Sequence, residues 1–193
     1  AFFNVGVPQG VAIFDDGVRR TNVGPAGVTG VNSIAYSASA AKLYGVGFND
    51  LQTMTVDGSG VTVSGTSALA ANTNIKFSNG LIFTGSGKVI NPDSNTLLGT
   101  FAGVSSQTFV PDSSVGRAYY LTSGPSFQTV TVKAFDINTF VDLGSITING
   151  VTGTPTSLIR WGANGLAFRT ENELFIIQTA LIPSAEPIPS PTP

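Results

Sequence analysis

Short apolar runs separated by turn residues recur along the chain, and four apolar-turn-apolar units can be read. They are "SIAYSASAAKLYGVGF" (33–48), "NIKFSNGLIFTG" (74–85), "QTFVPDSSVGRAYYLTSG" (107–124) and "LIRWGANGLAFRTEN" (158–172). Each has the form of two strands joined by a tight turn. Asn79-Gly80 and Asn164-Gly165 are strong hairpin signals, because a type I′ turn needs positive φ at both central residues, and Asp57-Gly58 carries the same chemistry. Tyr36, Phe77, Val110 and Trp161 anchor the first strands at spacings of 41, 33 and 51 residues. Loops of unequal length on a constant unit explain that drift, and the four anchors are expected to pack between neighbouring repeats.

A second unit follows the middle copies. "FDINTFVDLGSI" (135–146) matches "INPDSNTLLGTF" (90–101) at an offset of 45, aligning Asp136 with Asn91, Thr139 with Ser94, Leu143 with Leu98 and Gly144 with Gly99. An Asp or Asn there caps its own turn by accepting from a backbone N–H two residues on. "VDGSGVTVSG" (56–65) and "FDDGVRRTNVG" (14–24) are looser relatives. Two hairpins per ~40 residues make four strands per repeat, the blade of a β-propeller. A sandwich predicts no repeat, and a β-helix predicts a shorter and more regular one. Residues 11–24 supply the last two strands of one blade, 25–65, 70–104 and 107–150 a blade each, and 156–179 the first three strands of another. The expected fold is therefore all-β, a β-propeller of about four blades' worth, either partial or closed as a four-bladed ring.

Composition agrees with this and narrows the chemistry. The 193 residues include 23 Gly and 11 Pro, and the runs between them favour Val, Ile, Phe and Thr. With 10% charged residues and a net charge of -2, the chain shows no footprint for nucleic acid or an anionic membrane. It has no cysteine, hence neither disulfides nor thiolate metal sites, and no histidine, which removes the commonest general base and zinc ligand. "AFFNVGV" is too short an apolar run for a membrane span or signal peptide, and Ala1 at the start suggests a processed or excised chain. Prolines at 183, 187, 189, 191 and 193 divide residues 1–182, the blades, from 183–193, a Pro-rich linker or tail of the kind common on secreted and surface proteins.

The candidate chemistry is sparse. Asn91, Asp93 and Asn95 have the i, i+2, i+4 spacing of calcium ligands, but Pro92 interrupts the loop, Thr96 replaces the glycine and Ala102 the bidentate Glu, which favours a capped turn. Asp15-Asp16 with Arg19-Arg20 resembles an acid-base group, yet adjacent strand residues face opposite ways. Asp50, Asp57, Asp112, Asp136, Asp142, Glu171 and Glu173 mostly fall at turns. "GSGK" (85–88) lacks the other elements of a phosphate loop. Trp161, with Arg160 and Arg169 beside it, and Tyr36, Tyr44, Tyr119 and Tyr120 could offer sugar-binding platforms, though packing of the anchors is the expectation. No catalytic residue, metal ligand or cofactor-binding residue is assigned.

Across residues 11–179, "VAIFDDGVRR", "GVNSIAYSASAAKLYG", "NIKFSNGLIF", "VINPDSNTLLGTF", "FDINTF" and "SLIRWGANGLAFRT" resemble bacterial YVTN-type, or lactonase-like, seven-bladed propellers. The resemblance implies the C-terminal part of such a propeller, from a secreted or cell-surface protein. The function expected is that of a non-enzymatic module for protein-protein interaction or structural assembly. Its partners are other protein chains, including self-association through open sheet edges. A glycan-binding propeller and a lactonase-like hydrolase with its site in the central channel are the alternatives.

Overall fold

The computed structural model describes residue 11 and residues 13–19, 30–58, 60–124 and 128–184. The N-terminal apolar run, Arg20, the first residues of the 25–65 blade and most of the Pro-rich tail lie outside the described residues. Among those described there is no helix, and the strands follow the expected order. The ribbon β1 (Phe14–Asp15) and β2 (Val18–Arg19) comes first. Three four-stranded sheets follow: β3 (Ser33–Ser37), β4 (Lys42–Val46), β5 (Leu51–Asp57) and β6 (Gly60–Ser67); β7 (Ile75–Ser78), β8 (Leu81–Thr84), β9 (Lys88–Asn91) and β10 (Thr96–Thr100); β11 (Phe109–Asp112), β12 (Arg117–Ser123), β13 (Thr129–Asp136) and β14 (Asp142–Asn149). The last sheet has three strands, β15 (Ser157–Trp161), β16 (Gly165–Arg169) and β17 (Leu174–Gln178). Strand order within every sheet follows the chain, as in the meander of a propeller blade.

Turn chemistry sets the hairpins. Asp16 and Gly17 (φ 49° and 81°) join Asp15 to Val18, and Asn79 and Gly80 (φ 46° and 81°) join Ser78 to Leu81, both with the two positive φ values of a type I′ turn. The other two expected turns differ. Trp161 pairs with Gly165, so residues 162–164 form a three-residue loop and Gly165 lies within β16. A Cβ on Gly165 would stand 2.7 Å from the Trp161 carbonyl oxygen, so close backbone approach, and not turn conformation, requires that glycine. Asp57 pairs with Gly60 and is the last residue of β5. Elsewhere Asn91 Oδ1 accepts from the N–H groups of Asp93 (3.0 Å) and Ser94 (3.1 Å), and Asp136 Oδ1 does the same for Asn138 (2.9 Å) and Thr139 (3.0 Å). The aligned capped turns of the repeat are thus the same structure.

The chain divides into two compact units, residues 1–99 and 100–193. In the first, Tyr44, Val46 and Leu51 of one sheet meet Ile75, Ile82 and Ile90 of the next, while Leu43, Met54 and Val61 on the other face pack with Val31. Strand β3 runs beside β7, and Ile75 N–H donates to Ser33 Oγ at 3.0 Å. In the second unit Tyr119, Leu121, Val130, Val132 and Ala134 pack against Leu158, Leu166, Phe168 and Ile177. There β11 runs beside β15, and Thr108 Oγ1 donates to the Pro155 carbonyl at 3.1 Å. Each fully buried aliphatic or aromatic side chain contributes roughly 1.5–3 kcal/mol, which makes these seams between sheets the main source of stability. The four expected anchors divide two and two. Phe77 stacks on Tyr44 (centroids 5.5 Å apart) and Val110 packs into the second-unit core. Tyr36 and Trp161 are exposed by 57% and 43%.

The four-residue loops 38–41, 92–95 and 113–116 each end on a left-handed residue: Ala41 (φ 48°), Asn95 (52°) and Gly116 (64°). Asn and Gly tolerate that conformation, whereas alanine is strained by roughly 1–2 kcal/mol. Ala41→Gly is therefore expected to stabilise the chain by about 0.5–1 kcal/mol after the greater unfolded-state entropy of glycine is deducted. Ala40→Gly, where φ is not positive, is expected to destabilise it, and urea unfolding of the two variants checks the sign.

Candidate functional site

The last sheet has two unlike faces. Alternation along its strands sends Leu158, Leu166, Phe168, Phe175 and Ile177 inward, with Phe168 and Phe175 stacked at 4.5 Å. The opposite face carries the rows Ser157–Arg169–Leu174, Ile159–Ala167–Ile176 and Trp161–Gly165–Gln178. On it Leu174, Ile159 and Ile176 are exposed by 70%, 55% and 52%, beside the exposed Trp161. Isolated apolar residues on a surface are ordinary, but four on adjoining rows of one sheet form a patch. Beyond β17 no further strand pairs with this sheet among the described residues. The edge strand, Leu-Phe-Ile-Ile-Gln, has no Lys, Pro or other feature that blunts an edge.

The described residues after β17, 179–184, lie against the preceding sheet. Ile182 N–H donates to the Thr179 carbonyl (2.9 Å), and Ile182 is buried in the second-unit core. Leu181 Cδ2 lies 3.4 Å from where a Cβ on Gly144 would stand, and the Leu181 carbonyl accepts from the Tyr119 hydroxyl at 3.5 Å. This segment thus seals the seam between the last two sheets, and among the described residues the outer edge of β17 has no strand beside it.

Arg160 holds that arrangement. Its Nε lies 2.7 Å from Asp112 Oδ2, with the two side chains 18% and 9% exposed. Its Nη2 donates to the carbonyls of Ala163 (2.9 Å) and Pro183 (3.3 Å), its Nη1 to that of Gly165 (3.3 Å), and its Cζ lies 6.0 Å from the centroid of Tyr119. The planar guanidinium can serve all these acceptors at once, which an ammonium cannot. One side chain therefore ties β11, the β15–β16 loop and the chain beyond Ile182 together. Sequence reasoning missed this pair, since Asp112 reads as a turn residue and 48 positions separate it from Arg160.

Several of the remaining candidates hold structural contacts. Asp93 pairs with Lys42 at 2.7 Å, and Asn91 caps its turn. Asp136 meets Arg117 (2.9 Å), Asp142 accepts from Gly144 N–H (2.7 Å), and Glu173 accepts from the Thr152 N–H (2.9 Å) and hydroxyl (2.6 Å). Residues 85–87 form the β8–β9 turn and Lys88 opens β9, with its Nζ on the Leu69 carbonyl at 2.8 Å. Among the described residues no three His, Cys, Asp or Glu side chains come together. Of the proposed aromatic platforms, Tyr44, Tyr119 and Tyr120 are buried and only Tyr36 and Trp161 face out. A cavity of about 360 Å³ in the second unit, lined by Ser105, Gln107, Ser123 and Thr154 among others, contains no charged side chain. Its inner hydroxyls, Ser106 and Thr108, are bonded to backbone carbonyls.

Two outcomes follow for the Arg160 network. Asp112→Ala leaves a poorly hydrated guanidinium without its counter-charge and is expected to cost about 3 kcal/mol. The double variant Asp112→Ala/Arg160→Met recovers part of that, and a double-mutant cycle of unfolding free energies measures the coupling. Burial pushes the Tyr119 hydroxyl from 10.0 up to about 12 and raises those of Tyr120 and Tyr44 as well. Because the folded values are raised, this stabilisation is complete below pH 10 and is lost as pH climbs toward 12. Tyrosinate absorbance and circular dichroism followed together through that window should change cooperatively.

No protein-family description and no curated protein matches the sequence. Solved structures do. Over 83% of this chain and 55% of theirs, the match to the beta-propeller domain of Myceliophteria thermophila Cps50 (Swd1) has a TM-score of 0.61 at 9% identity. Kuenenia stuttgartiensis hydrazine synthase matches over 77% of this chain and 51% of its own (TM-score 0.56, 10% identity). A B. thetaiotaomicron protein assigned as the extracellular domain of a hybrid two component system matches over 81% and 22% (0.55, 15%). The chain thus spans about half or less of each of these neighbours. At such identities the likeness speaks for architecture alone, and with the meander sheets it gives the fold: an all-β propeller built of blade-type sheets.

Proposed function

We propose that the chain is a non-enzymatic β-propeller module, working at the cell surface or outside the cell, that binds other protein chains through the open face and edge of its last sheet. One observation carries this reading: the sheet presents Ile159, Trp161, Leu174 and Ile176 beside the outer edge of β17, which no other described strand pairs, while residues 179–182 fold away from it. The strand count expected three strands in this sheet, and three are described. An apolar face next to free backbone donors and acceptors suits strand addition, in which main-chain bonds give affinity and alternate side chains give specificity. Origin as the C-terminal part of a YVTN-type, seven-bladed parent belongs to the same reading. It is supported by the resemblance of the repeats and by the chain's spanning about half of two propeller neighbours. No helix among the described residues is long and apolar enough to cross a membrane, which leaves a β-barrel untouched.

A second reading, a glycan-binding propeller, is favoured by Trp161 alone. Its indole lies over the bare surface of Gly165, and beside it Asn164 of the β15–β16 loop and Gln178 of the same row bond through their side-chain amides at 3.1 Å. A flat apolar ring beside amides suits a sugar.

Sedimentation of the native chain is expected to show association that grows with concentration, and Ile176→Lys, which adds a charge to the exposed edge strand, should abolish it without altering the circular dichroism. A native chain of single-chain mass from micromolar to millimolar counts against the module reading. Because Trp161 is the one tryptophan, a fluorescence change on titrating oligosaccharide, with association unaffected by Ile176→Lys, would favour the glycan reading instead.

A further inference from the structure

We propose that β17 pairs with β17 of a second copy of this chain, antiparallel about a two-fold axis centred on Ile176. This rests on the reading of the last sheet as an interaction surface and specifies its partner. The phase of the ladder comes first. Thr170 N–H donates to the Glu173 carbonyl at 2.9 Å. In an antiparallel pair both backbone groups of a residue face the same neighbour, and successive residues face opposite ways. Glu173, Phe175 and Ile177 therefore address β16, while Leu174, Ile176 and Gln178 turn their N–H and C=O groups outward. The Ile177 carbonyl, 3.2 Å from where a Cβ on Gly165 would stand, agrees with that phase.

A two-fold can sit on any of the five strand residues, but on the inward-facing Phe175 it would set Glu173 opposite Ile177, and on Ile177 it would require Thr179 and Ala180 of the seam segment, which leaves the three outward-facing centres. Centring on Leu174 would set Glu171 opposite Ile177 and Glu173 opposite Phe175, placing carboxylates against apolar side chains. Centring on Gln178 would require residues 179–181, which are folded into the seam with the preceding sheet. Centring on Ile176 uses the whole strand: Leu174 faces Gln178 of the second copy, Phe175 faces Ile177, Ile176 faces itself, and Glu173 falls opposite the neutral Thr179. No like charges meet. Each of the outward pairs exchanges both backbone hydrogen bonds, so the edge groups of both copies are satisfied together. Two three-stranded sheets become one of six strands, with both apolar outer faces on the same side. The closed two-fold is also the commonest symmetry among homo-oligomers. A single strand pair buries less than the roughly 1,200–2,000 Å² of a standard interface, so the dimer is reversible and concentration-dependent.

The test is cross-linking, which the absence of cysteine makes clean. Residues paired in this way have Cα atoms about 5.5 Å apart, within disulfide range. Under mild oxidation Ile176→Cys is expected to form a covalent dimer far faster than Ser145→Cys, an exposed control on β14. Leu174→Cys and Gln178→Cys should each cross-link poorly alone and readily when mixed. Ile176→Cys reacting no faster than the control, or Leu174→Cys reacting with itself faster than with Gln178→Cys, overturns the pairing. If Ile176→Lys still abolishes association in that case, the strand register is wrong and the module reading stands. If association survives Ile176→Lys, both are overturned.

Discussion

A β-sheet has two faces and two edges to cover, and an edge left open leaves backbone donors and acceptors with only water to bond. Most of this chain can be understood as a response to that constraint. Within each compact unit, consecutive sheets cover one another's faces through Tyr44, Ile82 and Ile90 in the first and Tyr119, Leu158 and Phe168 in the second. The described chain reaches the last sheet with three strands rather than four, and one face and one edge remain.

What residues 179–184 do after β17 matters more than the strand count. Residues 179–182 could have extended the ladder, but burying Ile182 and placing Leu181 between Tyr119 and Gly144 secures the seam instead. Arg160 fixes the choice, because one guanidinium neutralises Asp112 and also bonds the carbonyl of Pro183. The same side chain that welds the last two sheets therefore also holds Pro183 against the seam, away from the edge. Stability of the seam and availability of the edge are coupled through it.

The sequence made the sheets legible because their hairpins are local. Asp16-Gly17, Asn79-Gly80 and the paired caps at Asn91 and Asp136 form where short-range chemistry says they should. It was less informative wherever the answer lay between strands. Trp161 aligns with Phe77 in the repeat, yet it is the last strand residue before its turn where Phe77 is the last but one, and a shift of one residue moves a side chain to the other face; Tyr36 stands one residue from its turn as Phe77 does and is exposed all the same. Asn164-Gly165 looked like a turn because the close approach of Trp161 to Gly165 has no local signature. The candidate surface was half legible. Strand counting gave the three strands of the last sheet, but the exposed Trp161 was expected in the core and the Arg160–Asp112 pair was invisible.

The account stands on the β17 edge being free of the chain's own covering, and residue-resolved amide hydrogen exchange of the dilute chain tests that most directly. Leu174, Ile176 and Gln178 are expected to exchange rapidly, while Phe175 and Ile177, bonded to β16, are protected, an alternation within one strand. Uniform protection across residues 174–178 at concentrations where the chain is a single copy would contradict it, since part of the same chain would then be completing the sheet.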